Sequence, residues 1–187
     1  NWMQRGLILG TLVSAVALAG CGNGGGAKSA DDASGGGECS SDLCGKAAPE
    51  VSGDSVMGDG PTTIAEGKGN SVVIVDFWAT FCDPCRKSFP KYQELVDKYA
   101  GDLAVIAVSV DDPDDVGEDE VKKFAEELGV SFAIVWDKDK KTAEAYNPPK
   151  MPTSYIVDKE GVIRHVHAGF EGDEALVIEK EVDALLK

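Results

Sequence analysis

The sequence predicts an α/β fold, a sheet flanked by helices, and three stretches carry that expectation. Residues 72–75 are a run of β-branched side chains, which reads as a buried strand. Beyond it Phe89, Tyr92, Leu95, Val96 and Tyr99 recur on one face of a helix that Asp83 and Pro84 open. Residues 103–110 are almost continuously apolar and read as a second buried strand. Between the first strand and the helix stand Cys82 and Cys85, and the rest of the chain is organised around them.

From the start of the chain, Arg5 precedes an apolar run over residues 7–18, and small residues lead to Cys21. A positive start, a short apolar stretch and a small-residue cleavage site describe a secretory signal, too short for a comfortable membrane span. Leu18-Ala19-Gly20-Cys21 resembles the bacterial lipobox, which implies that Cys21 receives diacylglycerol and becomes the mature N-terminus. The alternative is an ordinary signal peptide with a chance cysteine. Five cysteines is an odd number for an exported chain, and lipidating Cys21 leaves two pairs.

The organisation expected is therefore a signal over residues 1–20, a lipid-anchored tether over 21–47 and a folded domain over 48–187. Residues 22–37 are dominated by Gly, Ala, Ser and Asp with no apolar period, and cannot bury enough surface to order. Cys39 and Cys44 follow, with four residues between them. They read as a structural disulfide at the domain's entrance, as a second redox pair exchanging with Cys82 and Cys85, or as metal ligands. Residues 49–70 are Gly-rich, with short apolar pieces at Val51, Val56 and Ile64 that support only short strands.

Cys82 and Cys85 sit where a strand hands over to a helix. Unpaired N–H groups and the positive end of the helix dipole favour an anion there, so the first thiolate is stabilised. Two intervening residues let the second sulfur close onto the first, and the chemistry supported is thiol–disulfide exchange. The same spacing supplies half of a zinc site. The preceding strand, the following helix and Pro84 between the sulfurs favour redox chemistry.

Residues 111–120, DDPDDVGEDE, read as a solvated acidic turn, since their acids lack the ligand spacing of a calcium loop. Val121, Phe124, Ala125 and Leu128 mark a helical face over about 119–128 that Gly129 ends. Residues 132–136 form a third strand and 140–146 a short helix. Residues 154–158 and 162–167 form a hairpin turned by Lys159-Glu160-Gly161. In the last helix Asp173 supplies the cap, and Leu176, Val182 and Leu185 face inward. His165 and His167 share one face of a strand and read as solvent-facing rather than as a metal pair.

Asp76-Phe77-Trp78-Ala79-Thr80-Phe81-Cys82-Asp83-Pro84-Cys85, with Pro90 beyond, resembles the active-site segment of thioredoxin. About three quarters of the chain, from residue 48 on, is similar to membrane-tethered thioredoxin-like proteins of the TlpA/ResA type. The resemblance implies a thioredoxin fold: a central mixed sheet flanked by helices, an extra helix–strand insertion at about 119–136, and an N-terminal hairpin adding an edge. It implies Cys82 as attacking nucleophile, Cys85 as resolving thiol and Asp76 as a buried acid assisting proton transfer at Cys85. Met151-Pro152-Thr153 corresponds to the cis-proline loop. With Trp78, Asp83 and Pro84 these residues would form the substrate surface, Met151 pairing with a polypeptide through its backbone. Ser88 stands where TlpA-like proteins often place a glutamate, which leaves the acid–base duty to Asp76.

The function expected is a membrane-tethered oxidoreductase of the cell envelope, reducing disulfides in exported proteins such as apocytochromes through the Cys82–Cys85 dithiol. It would be a monomer without metal or cofactor, resupplied by a membrane thiol-reducing partner. The alternatives are a thiol peroxidase of the peroxiredoxin class and a copper-delivery module like the Sco proteins. A formal net charge of −15 argues against nucleic acid as partner and against adsorption to anionic lipid.

Overall fold

A computed structural model describes Cys39 and residues 41–187. The signal segment, Cys21 and the tether up to residue 38 lie outside the described residues. Six strands form one sheet: β1 (Asp54–Met57), β2 (Val72–Trp78), β3 (Leu103–Ser109), β4 (Ala133–Trp136), β5 (Thr153–Val157) and β6 (Ile163–Ala168). Their order across it is β1-β4-β3-β2-β5-β6. β2, β3 and β4 run parallel, whereas β1, β5 and β6 pair antiparallel to their neighbours. The sheet is mixed, flanked by helices, as the sequence predicts.

All seven residues of β2 are buried, because helices cover both faces of the sheet's centre. Val72, Ile74 and Trp78 point to one face, where they meet Phe89, Tyr92 and Leu95 of α2 (Cys85–Lys98). The same layer takes in Phe124 and Ala125 of α3 (Glu118–Glu127), and Ile178 and Val182 of α5 (Glu174–Leu185). Val73, Val75 and Phe77 point to the other face, against Ile64 of the one-turn α1 (Ile64–Gly67) and Tyr146 of α4 (Lys141–Tyr146). Alternation along β2 thus builds both cores. Among the described residues no helix is long and apolar enough to cross a membrane.

The structure differs from expectation in several places. Residues 49–70 hold a lone strand and a single helical turn, not a hairpin; β1 finds its partner in the distant β4 instead. Asp173 occupies the cap position of α5, but its side chain makes no capping bond. Leu176 is exposed, while Leu185 packs against the core. His165 and His167 do not face solvent: α5 folds back over β6 and sets Glu181 against both rings. That return is a tertiary event, so the strand's own pattern does not disclose it.

Residues expected to belong to the tether are docked on the sheet edge. Gly45 donates to Ile163 O (2.8 Å), Ile163 to Lys46 O (3.0 Å) and Ala48 to Gly161 O (2.8 Å). Cys39 and Cys44 are disulfide-bonded next to this stretch, and Leu43 packs against the core.

Candidate active site

β2 ends at Trp78, and the chain crosses to α2 through Ala79, Thr80 and Phe81. The crossing is anchored by Asp111, which is fully buried. Its carboxylate accepts from the Thr80 amide (3.0 and 3.1 Å), the Thr80 hydroxyl (2.7 Å) and the Ser109 hydroxyl (2.8 Å). Asp111 is thus no part of a solvated acidic turn. It follows directly on β3, so the sheet carries it inward beneath the loop.

Cys82 and Cys85 form a disulfide, with Cα atoms 5.3 Å apart. Cys82 is 6% exposed and Cys85 is inaccessible, so an incoming sulfur meets Cys82 first. Cys85 opens α2, and its N–H donates to Cys82 Sγ at 3.3 Å. No acidic side chain occupies the first turn of the helix. A thiolate at Cys82 therefore has a backbone donor and the positive end of a 14-residue helix beside it. Ser88 is buried and donates to Cys85 O at 3.2 Å, which fixes its hydroxyl on the helix backbone.

Asp76 lies on the β2 face that α2 covers, and it is completely buried. Ser154 Oγ donates to its Oδ1 at 2.7 Å, and the Tyr92 hydroxyl stands 3.4 Å from the same oxygen. Oδ2 has no partner. Burial pushes the carboxyl up to about 7, and the bonds from Ser154 and Tyr92 hold the rise in check. An acid with that value exchanges protons near neutral pH.

The Met151–Pro152 peptide is cis. Phe77 is in register with Thr153, so the cis peptide lies just beyond β5, at the end of the sheet from which β2 delivers the cysteines. Pro152 O accepts from Gly169 N at 2.7 Å, and Met151 is half-buried. Asp83 and Pro84 are exposed beside the sulfurs.

Two expected substrate contacts lie elsewhere. Trp78 is fully buried, its ring 4.7 Å from Phe124 and 5.0 Å from Phe89, so it builds the core and offers no surface. Thr153 is also buried, and its hydroxyl donates to Lys150 O at 2.7 Å. The aromatic that does face outward is Phe81, 72% exposed, immediately before Cys82. Its position was the signal: past the strand and before the helix, neither element buries it.

The AhpC/TSA family profile matches residues 44–166. The chain is 31% identical over 139 residues to the thiol-disulfide oxidoreductase YkuV of Bacillus subtilis, covering 74% of this chain and 93% of that protein. It is 36% identical over 104 residues to the thiol-disulfide oxidoreductase ResA of Geobacillus kaustophilus, covering 55% of this chain and 56% of that protein. The crystal structure of the thioredoxin domain of a thiol-disulfide oxidoreductase from Bacteroides vulgatus superposes with a TM-score of 0.61 at 30% identity. That match covers 74% of this chain and 97% of the other. A redox-ready pair at a strand–helix junction, a six-stranded mixed sheet and these likenesses agree: the chain belongs to the AhpC/TSA family and is a thioredoxin-fold thiol–disulfide oxidoreductase.

Proposed function

We propose that the protein is a lipid-anchored reductant of disulfides in exported proteins, working at the extracytoplasmic face of the membrane. The observation that carries the chemistry is the pairing of Cys82, the more exposed of the two sulfurs and bonded by the Cys85 amide, with a buried acid poised near neutrality. The Cys82 thiolate attacks one sulfur of a substrate disulfide. A Cys82–substrate bond forms, and the other substrate sulfur leaves as a thiolate that takes a proton from water. Asp76 accepts the Cys85 proton, and Cys85 attacks Cys82. The Cys82–substrate bond breaks, the second substrate thiol is released and protonated, and the protein is left with its Cys82–Cys85 disulfide.

The substrate lies across Phe81 and the Met151–Pro152 peptide, whose neighbouring backbone pairs with an extended segment. Apocytochromes awaiting haem are the substrates the family resemblance favours. Two electrons must return to the pair after each cycle, and a membrane thiol-reducing protein is the donor. Cys39–Cys44, at the far edge of the sheet beside β6, is read as a structural clasp.

The test is the reduction potential of Cys82–Cys85 in the full chain, equilibrated against dithiothreitol, with and without Cys39→Ser and Cys44→Ser. A value of about −270 mV is expected for a reductant. A value of about −120 mV would mark a disulfide donor and overturn the direction. The electron count per active-site turnover stays at two in the double variant if the clasp takes no part.

A further inference from the structure

A row of polar side chains leads away from Asp76 across the sheet. Asp76 on β2 is in register with Ser154 on β5, and Ser154 with His167 on β6. Residues paired across antiparallel strands share a face, so the three stand side by side beneath α2 and α5. Two strand spacings separate the ends of the row, roughly 10 Å. Tyr92 reaches onto it from α2, its hydroxyl 2.6 Å from Ser154 Oγ. Ser154 has one proton and gives it to Asp76, so Tyr92 shares its own between Ser154, the shorter contact, and Asp76 Oδ1 at 3.4 Å, and the chain of donors ends on the carboxylate.

His167 closes the outer end. Its Nδ1 is bonded to Glu174 and its Nε2 lies 2.6 Å from Glu181 Oε2. Burial works against charge on the ring, but the bonds and charges of Glu181 and Glu174 outweigh it and raise the imidazole's pKa, which favours its cationic form. Glu181 is 5% exposed, and Glu174 bears electrostatically on Tyr92, the hydroxyl that overlies the row. The other ionisable groups around the ring are His165 and Arg164 on β6; Arg164 is engaged by Asp158. Lys98, the last residue of α2, and Tyr99 after it meet Glu179 and Asp183 on the neighbouring side of α5.

We propose that the imidazolium of His167 is a positioning residue for proton transfer between Asp76 and Cys85. Its charge offsets Glu174 and Glu181, which would otherwise oppose a carboxylate at Asp76 through the low-dielectric layer under α5. The inference rests on Asp76 serving as the proton partner of Cys85. Losing the cation leaves two buried-side carboxylates uncompensated, and the Asp76 titration moves up. Losing one carboxylate moves it down.

Carboxyl-carbon NMR titration of the oxidised full chain reads this directly, with Asp76→Asn identifying the resonance. His167→Gln is expected to raise the Asp76 midpoint by roughly half a pH unit, and Glu174→Gln to lower it by a similar amount. Opposite shifts establish the charge linkage. No shift, or shifts of the same sign, overturn it, the second meaning that repacking of α5 moved the acid. Should His167→Gln fail to fold, the downward shift in Glu174→Gln decides alone. The pH profile of Cys85 alkylation in reduced Asp76→Asn tests the underlying reading separately: a profile like the parent's removes Asp76 from the chemistry, whatever the carboxyl titrations show.

Discussion

Asp76 stays protonated in the fold up to about pH 7, whereas an ordinary aspartate ionises near 3.8. The native state therefore holds a proton that the unfolded chain has lost between those values. Stability falls as pH rises through that window, and the full cost, about 4 kcal/mol at 1.36 kcal/mol per unit, is present above it. Asp76→Asn removes the charge but leaves a buried amide hydrogen without a partner, at about 1–3 kcal/mol. Denaturant unfolding at pH 8 is expected to find the variant more stable by about 1–3 kcal/mol, with the Asp76 contribution to the slope between pH 4 and 7 removed. Its disulfide exchange slows at the same pH. At this scale the sequence reads well where a residue acts by its place in the chain. The Cys82–Cys85 disulfide and the burial of Asp76 follow from one segment, as does the cis bond at Pro152 from its likeness to the family. It reads poorly where burial decides: Trp78 and Phe81 are both aromatic and three residues apart, yet one is core and the other surface.

At the scale of elements, the strands and helices were legible because each carries its own period. The apolar runs of β2 and β3 and the one-faced pattern of α2 require no knowledge of neighbours. β1 was not legible, since its four residues acquire a strand's identity only by pairing with β4. Gly58 makes that junction close. It has φ +93°, and a Cβ there would lie 1.9 Å from the Phe132 carbonyl oxygen, next to the bond from Asp59 N to Ser131 O (2.7 Å). Gly58→Ala must push β1 off the sheet and is expected to cost about 3 kcal/mol in urea unfolding. An unchanged midpoint would mean that the edge strand contributes little. Asp111 and the two histidines were misread for the same reason as β1. Their partners lie on other elements: Thr80 on the crossing from β2 to α2, Glu181 and Glu174 on α5.

For the whole molecule, the formal charge of −15 opposes adsorption to an anionic bilayer, so the proposed residence at a membrane requires hydrophobic attachment. Cys21→Ser is expected to abolish labelling by fatty acid and to move the protein from the membrane fraction to the soluble one. Retention in the membrane would refute the lipid anchor. The sequence by itself determined what is local: the α/β alternation, the strand–helix junction that holds two sulfurs, and the acid six residues before the first of them. Those are set by side-chain period and by the polarity of a helix end, which any short segment carries within itself. The tertiary structure alone decided which charges are buried together. The return of α5 over β6 set Glu181 against both histidines and made His167 the end of a polar row, and the turn after β3 made Asp111 the anchor of the active-site loop. Their environment is made of atoms distant in the chain, and a local pattern holds no record of them.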